Sequence, residues 1–155
     1  MLNKVEKVSK KLIEQNLTIS GAESCTGGMI VSSLVDFPGI SAVLNESYVT
    51  YSNESKIRIL GVNPETLEKY GAVSSECVKE MVEGLEKISG ADVCFAVSGI
   101  AGPDGGTVEK PVGTVFFALS FNGEIFLWNE CFAGDRNKVR IKSSEAIIKR
   151  ISSII

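Results

Sequence analysis

Val5, Val8, Leu12 and Ile13 recur at helical spacing, with Leu2 on the same face and lysines and glutamates between them. The chain therefore opens on an amphipathic helix. Residues 17–20 form a short β-branched run that reads as a first strand. Met29-Ile30-Val31 and Leu34-Val35 restore the helical period and predict a helix over 29–37, stopped by Pro38-Gly39. Residues 47–51, rich in aromatic and β-branched types, predict a second strand. Ser52 or Asn53 then caps a helix whose apolar side carries Ile57, Ile59 and Leu60.

Asn63-Pro64-Glu65 opens a short helix, with Pro64 at its first position and Gly71 at its end. Ser74 or Ser75 starts a longer one through Cys77, Val78, Met81, Val82, Leu85 and Ile88, closed by Gly90. Residues 92–97 are an apolar strand. Residues 115–121 and 124–131 form a hairpin around Asn122-Gly123. A final helix begins at about Asn137, with Val139, Ala146, Ile147, Ile148 and Ile151 turned inward.

This order predicts a single α/β domain over residues 1–155: an αβ sandwich with a mixed sheet, one C-terminal β-hairpin, and helices packed on the sheet. The hairpin excludes an all-parallel sheet. Polar or glycine-rich loops follow the strands ending near Ser20, Val97 and Cys131. Their convergence at one sheet edge would make a pocket.

Composition narrows the chemistry. The 155 residues hold no histidine, which excludes a Ser-His-Asp triad, a Cys-His dyad and any His-containing metal site. A nucleophile here needs another base, and lysine is the usual substitute. The four cysteines form no C-x-x-C pair, so no zinc or other metal site is expected. A formal net charge of −3 without a basic block speaks against nucleic acid as partner. No apolar run reaches the roughly 18–20 residues of a membrane span, and residues 1–11 are charged rather than signal-like. The expected setting is cytoplasmic, with free thiols. Apolar faces on the first or last helix leave room for a homo-oligomer.

Ala22-Glu23-Ser24-Cys25-Thr26-Gly27-Gly28 lies between a strand and a helix. Such a turn aims backbone N–H groups, at a helix N-terminus, toward whatever sits in it. Ser24 is the candidate nucleophile there. The alternative is that Ser24 or Thr26 merely caps the helix. Lys56 falls near the start of its own helix, where the dipole disfavours an ammonium ion, and Arg136 or Lys110 nearby would disfavour it further. A Ser24–Lys56 dyad follows, provided the lysine is neutral part of the time. Cys25 is the rival nucleophile, against the reading of a buried structural thiol. Tyr51 either orients the lysine or lines the pocket. Glu23 either tunes Lys56 or caps the turn. Arg136 and Arg140, one helical turn apart, can face one anion such as a phosphate.

The turn at 22–28, Thr50-Tyr51-Ser52-Asn53-Glu54-Ser55-Lys56, Gly71-Ala72-Val73-Ser74, Ser98-Gly99-Ile100-Ala101-Gly102-Pro103-Asp104-Gly105-Gly106, Lys110-Pro111-Val112-Gly113-Thr114 and Gly134-Asp135-Arg136 together resemble the CinA C-terminal domain family, the nicotinamide-nucleotide amidohydrolases, in its stand-alone form. The blocks stand in the family's order and span nearly the whole chain. The resemblance implies a Ser/Lys hydrolase that deamidates nicotinamide mononucleotide to nicotinate mononucleotide and ammonia, with Ser24 as nucleophile, Lys56 as base, and no metal or cofactor. Backbone groups of Thr26, Gly27 and Gly28 would hold the oxyanion. Tyr51, Gly99, Ala101, Gly102, Lys110, Arg136 and Arg140 are the expected substrate-binding residues, the partner being a small nucleotide. The competing reading is a non-catalytic nucleotide-binding or regulatory module associated with competence, which would not need both Ser24 and Lys56.

Overall fold

The computed structural model describes residues 2–155, the side chain of Leu2 excepted, so the expected inward placement of Leu2 lies outside the described residues. The elements run α1 (Leu2–Glu14), β1 (Ile19–Glu23), α2 (Met29–Val35), a 3-10 turn at Ile40–Ala42, β2 (Tyr48–Val49), α3 (Asn53–Leu60), α4 (Pro64–Tyr70), α5 (Ser75–Ser89), β3 (Val93–Gly99), β4 (Thr114–Phe121), β5 (Glu124–Cys131) and α6 (Arg136–Ile154). The strands form one mixed sheet in the order β2-β1-β3-β4-β5. β2, β1 and β3 are parallel, and β4 and β5 form the antiparallel hairpin. Asn122 and Gly123 both have positive φ at its turn, as a two-residue connection between twisted strands requires. This is the α/β sandwich expected from the pattern.

Strand alternation splits the core in two. Val93, Phe95 and Val97 of β3 face Val8, Leu12, Ile30, Leu34, Val139 and Ile147, so α1, α2 and α6 cover that side. Ala22, Cys94, Ala96 and Ala118 face Leu60, Val78, Met81, Val82 and Leu85 on the other, beneath α3 and α5. The small side chains there let α5 lie close to the sheet. α3 in turn lies close to α5, because Gly84 presents no side chain: a Cβ on it would stand 1.8 Å from the Leu60 carbonyl oxygen. Gly84→Ala is therefore expected to push α3 outward, at a cost of about 1–3 kcal/mol in stability, and to displace Lys56 with it. Chemical denaturation read beside activity checks both effects.

β1 begins and ends later than its β-branched run, at Ile19–Glu23 rather than 17–20, because all five residues pair with β3. Gly21 is tolerated in that strand because the Phe95 ring occupies the space of a side chain. β2 shrinks to two residues at the sheet edge. The Ser47 hydroxyl extends its ladder by accepting from the Gly21 N–H at 2.9 Å and donating to the Gly21 carbonyl at 2.7 Å. α2 stops at Val35, short of Phe37, with Asp36 as its C-cap.

β5 is antiparallel to β4, which is antiparallel to β3, so β5 runs in the direction of β1, β2 and β3. The carboxyl ends of four strands, and the loops that follow them, thus meet at one edge. In open α/β sheets that edge is where ligands bind.

Candidate active site

Ser24 is the first residue beyond β1, held by its N–H donating to the Val97 carbonyl at 3.1 Å. Ala22 belongs to the α5 side of the sheet, so by strand alternation Ser24 points to the same side. α3 delivers Lys56 there. Ser52 caps α3 by accepting from the Ser55 N–H, and Lys56 follows in the first turn, its side chain leaning back toward the helix start. Lys56 is 1% exposed and Ser24 8%. The Lys56 ammonium donates to Ser24 Oγ at 3.0 Å, to the Thr50 carbonyl at 2.8 Å and to the Tyr51 carbonyl at 3.3 Å.

No described carboxylate forms an ion pair with that amine; the side-chain ion pairs, Lys10–Glu6 and Lys79–Glu83, are far along the surface. Burial holds the Lys56 pKa below the ordinary lysine value. The cause is desolvation, not the neighbouring cations expected from sequence. Once deprotonated, the amine would keep two N–H groups for the two carbonyls and turn its lone pair to the Ser24 hydroxyl proton.

The helix cap is not Ser24 or Thr26. α2 has Gly28 at its N-cap position, in the left-handed region at φ 94°, without a side-chain cap. The Glu23 carboxylate does that work. Buried at the end of β1 on the α2 side, it accepts from the N–H groups of Gly28 (3.0 Å), Ile30 (3.2 Å) and Val31 (2.9 Å) and from the Thr26 hydroxyl (2.6 Å). Four donors satisfy a buried carboxylate that forms no ion pair among the described residues. Glu23 caps the turn, and Ser24 is left free for Lys56.

This bonding also corrects the expected oxyanion donors. The Gly28 N–H is engaged by Glu23, and the Gly27 N–H donates to the Ser24 carbonyl at 3.0 Å. The turn's N–H groups that donate to no backbone or side-chain acceptor among the described residues are those of Cys25 and Thr26. The Cys25 side chain is 5% exposed, and burial pushes its thiol up to about 11, so at neutral pH it is no thiolate nucleophile.

A cavity of about 190 Å³ opens over the pair, lined by Ser24, Cys25, Tyr51, Lys56, Ser98 and Arg136 among others, including Gly99 and Ala101. Arg136 crosses its mouth, donating to the Gly102 carbonyl at 2.6 Å and to the Tyr51 hydroxyl at 2.8 Å. The Tyr51 side chain is 58% exposed at that mouth, while its carbonyl reaches Lys56.

Of the expected binding residues, Thr26, Gly27, Gly28, Gly102, Lys110 and Arg140 do not line the cavity. The Lys110 amine donates to the Tyr70 and Val73 carbonyls at 2.9 and 2.6 Å, tying its loop to the end of α4. Arg140 does not share an anion with Arg136. It turns to the serine turn, donating to the Cys25 carbonyl at 3.1 Å and the Thr26 carbonyl at 2.9 Å. Thr26, Gly27 and Gly28 form the turn without lining the cavity. Ser98 was missed from sequence. It lies beside Ser24 on the neighbouring strand, 2% exposed, and lines the cavity. Its place at the very end of an apolar strand, before a glycine-rich loop, was the available signal.

The sequence profile of the CinA C-terminal domain matches residues 2–155. The chain belongs to the CinA C-terminal domain family. A relative in Clostridium beijerinckii, named for competence-damage induction, is 53% identical over 143 residues, covering 92% of this chain and 35% of its own length. The CinA-like protein of Thermotoga maritima is 50% identical over 149 residues, 96% of this chain and 36% of its own. The chain thus spans about a third of the length of these curated relatives. The crystal structure of competence damage-inducible protein A from Klebsiella pneumoniae superposes with a TM-score of 0.95 at 38% identity, covering 99% of this chain and 95% of that one. A competence/damage-inducible protein from Agrobacterium tumefaciens superposes with a TM-score of 0.91 at 36% identity, over 97% of this chain and 94% of that one.

Proposed function

We propose that the chain is an amidohydrolase acting on nicotinamide mononucleotide, and that Ser24 and Lys56 carry the reaction. The observation behind this reading is a buried lysine with no carboxylate partner, 3.0 Å from a serine that opens into a cavity. A structural lysine in a core is normally paired or absent. An unpaired one, its pKa lowered by burial, is a candidate base.

Neutral Lys56 takes the Ser24 proton as Oγ attacks the carboxamide carbon. The tetrahedral oxyanion accepts from the Cys25 and Thr26 N–H groups. The lysine then gives its proton to the departing ammonia, which leaves an acyl ester on Ser24. Neutral again, Lys56 takes a proton from water, the hydroxide attacks the ester, and the carboxylate product leaves as Ser24 regains its proton. The chain needs no further group for any of these steps.

The cavity's size supports a substrate held by one end. At about 190 Å³ it is below the roughly 300–1,000 Å³ of pockets that engulf a drug-sized ligand. It suits the carboxamide ring, leaving the ribose phosphate at the open mouth, where the Arg136 guanidinium can exchange its neutral partners for the phosphate. Ammonia release from nicotinamide mononucleotide tests the proposal. The expected result is stoichiometric nicotinate mononucleotide. Binding of the nucleotide without ammonia release would favour a non-catalytic regulatory module.

A further inference from the structure

Arg140 is a half-buried cation on α6 with no carboxylate partner among the described residues, aimed at two carbonyls of the nucleophile's own turn. In a trans peptide the C=O and N–H point in opposite directions. The peptide that offers the Cys25 carbonyl to Arg140 therefore points the Thr26 N–H away from α6. The next peptide offers the Thr26 carbonyl to Arg140 and sends the Gly27 N–H back to the Ser24 carbonyl at 3.0 Å, which closes the turn.

α6 packs on the sheet face that carries Val97 and Val115, whereas the elements around Lys56 pack on the opposite face. Away from α6 is thus toward the side of the sheet that carries the lysine. Glu23 works on the same turn with the opposite sign, taking the Gly28 N–H and the Thr26 hydroxyl. The arginine holds the Cys25 and Thr26 carbonyls, the Gly27 N–H holds the Ser24 carbonyl, and the glutamate takes the Gly28 N–H. Among the described residues the Cys25 and Thr26 N–H groups donate to no backbone or side-chain acceptor of another residue.

We infer that Arg140 is a positioning residue for acyl transfer, orienting and polarising the Ser24–Gly27 turn so that the Thr26 and Cys25 N–H groups receive the oxyanion. This rests on the reading of Ser24 as nucleophile. Arg140 touches no substrate atom in this role. A phosphate-binding arginine, by contrast, would act through substrate affinity.

The test compares the intact chain with Arg140→Met and Arg140→Lys on nicotinamide mononucleotide and on nicotinamide riboside, which lacks the phosphate. Ser24 is labelled in parallel with a small fluorophosphonate, whose addition also builds negative charge on an oxygen. Arg140→Met is expected to lower kcat about 10- to 100-fold, less than deleting a donor outright, with KM changed by no more than about threefold. The factor should be the same on both substrates, and labelling should slow in parallel. Arg140→Lys keeps the charge but makes one bond where arginine makes two, so it should recover part of kcat. If Arg140→Met does not fold, the lysine variant still decides: lower kcat at constant KM supports the inference.

A rise in KM at constant kcat, a loss confined to the phosphorylated substrate, or unchanged labelling overturns it. Should the intact chain be labelled at Ser24 yet release no ammonia, the amidase reading fails, and the labelling rates of the variants still judge Arg140.

Discussion

Ser24→Ala is expected to reduce kcat/KM for ammonia release by roughly 10⁴-fold or more, with nucleotide affinity kept within a fewfold. The affinity should survive because Oγ is a small part of the cavity wall, and Tyr51, Arg136 and Gly99 remain. The rate should not, because Ser24 is the hydroxyl that the Lys56 amine reaches. Cys25 is the nearest rival, and its thiol is held at about 11 by burial. Stability should change little. Ser24 anchors its turn through backbone bonds, and its hydroxyl takes no part in capping α2. Activity persisting in Ser24→Ala and lost in Cys25→Ala would transfer the nucleophile to the cysteine and overturn the proposed mechanism. Equal activity in both variants would remove the acyl-enzyme altogether.

The sequence was most legible where local rules act alone. The strand–turn–helix around Ser24, the Ser52 cap of α3, the Pro64 start of α4 and the Asn122-Gly123 hairpin all follow from nearest neighbours, and the fold class follows from them. The absence of histidine then made Lys56 the base to consider. Long polar side chains were the hard part. Arg136 and Arg140 share a helix face, yet one bridges Tyr51 and Gly102 while the other reaches two carbonyls more than a hundred residues back in sequence. Lys110 likewise bonds to carbonyls of Tyr70 and Val73 that only the tertiary fold brings near. Glu23 was visible beside the nucleophile, but its role depended on β1 running on to residue 23 and so delivering the carboxylate to the start of α2. That extension came from pairing with β3, which no local pattern encodes.

Lys56→Met is expected to match the loss of Ser24→Ala in rate and to differ from it in its response to pH. In the intact chain kcat/KM should climb with pH as Lys56 loses its proton and level off at an apparent pKa below the 10.5 of an unperturbed lysine. The residual activity of Lys56→Met should lack that limb. Stability carries the same signature with a definite sign. The folded state lowers the lysine pKa and the unfolded state does not, so between the two values the unfolded chain binds more protons. Unfolding free energy therefore rises with pH across that window. Below the folded-state pKa the penalty for burying the charge is fully present; above the unfolded value it is gone. Lys56→Met removes the titration, so the denaturation midpoint of the intact chain, measured from neutral to strongly alkaline pH, should rise relative to that of the variant across the window. A difference that stays flat over the whole range would mean that the lysine keeps an ordinary pKa in the folded chain. In that case Lys56 could not serve as the base for Ser24 near neutral pH, and the contact of 3.0 Å would be a structural bond from a permanently charged amine.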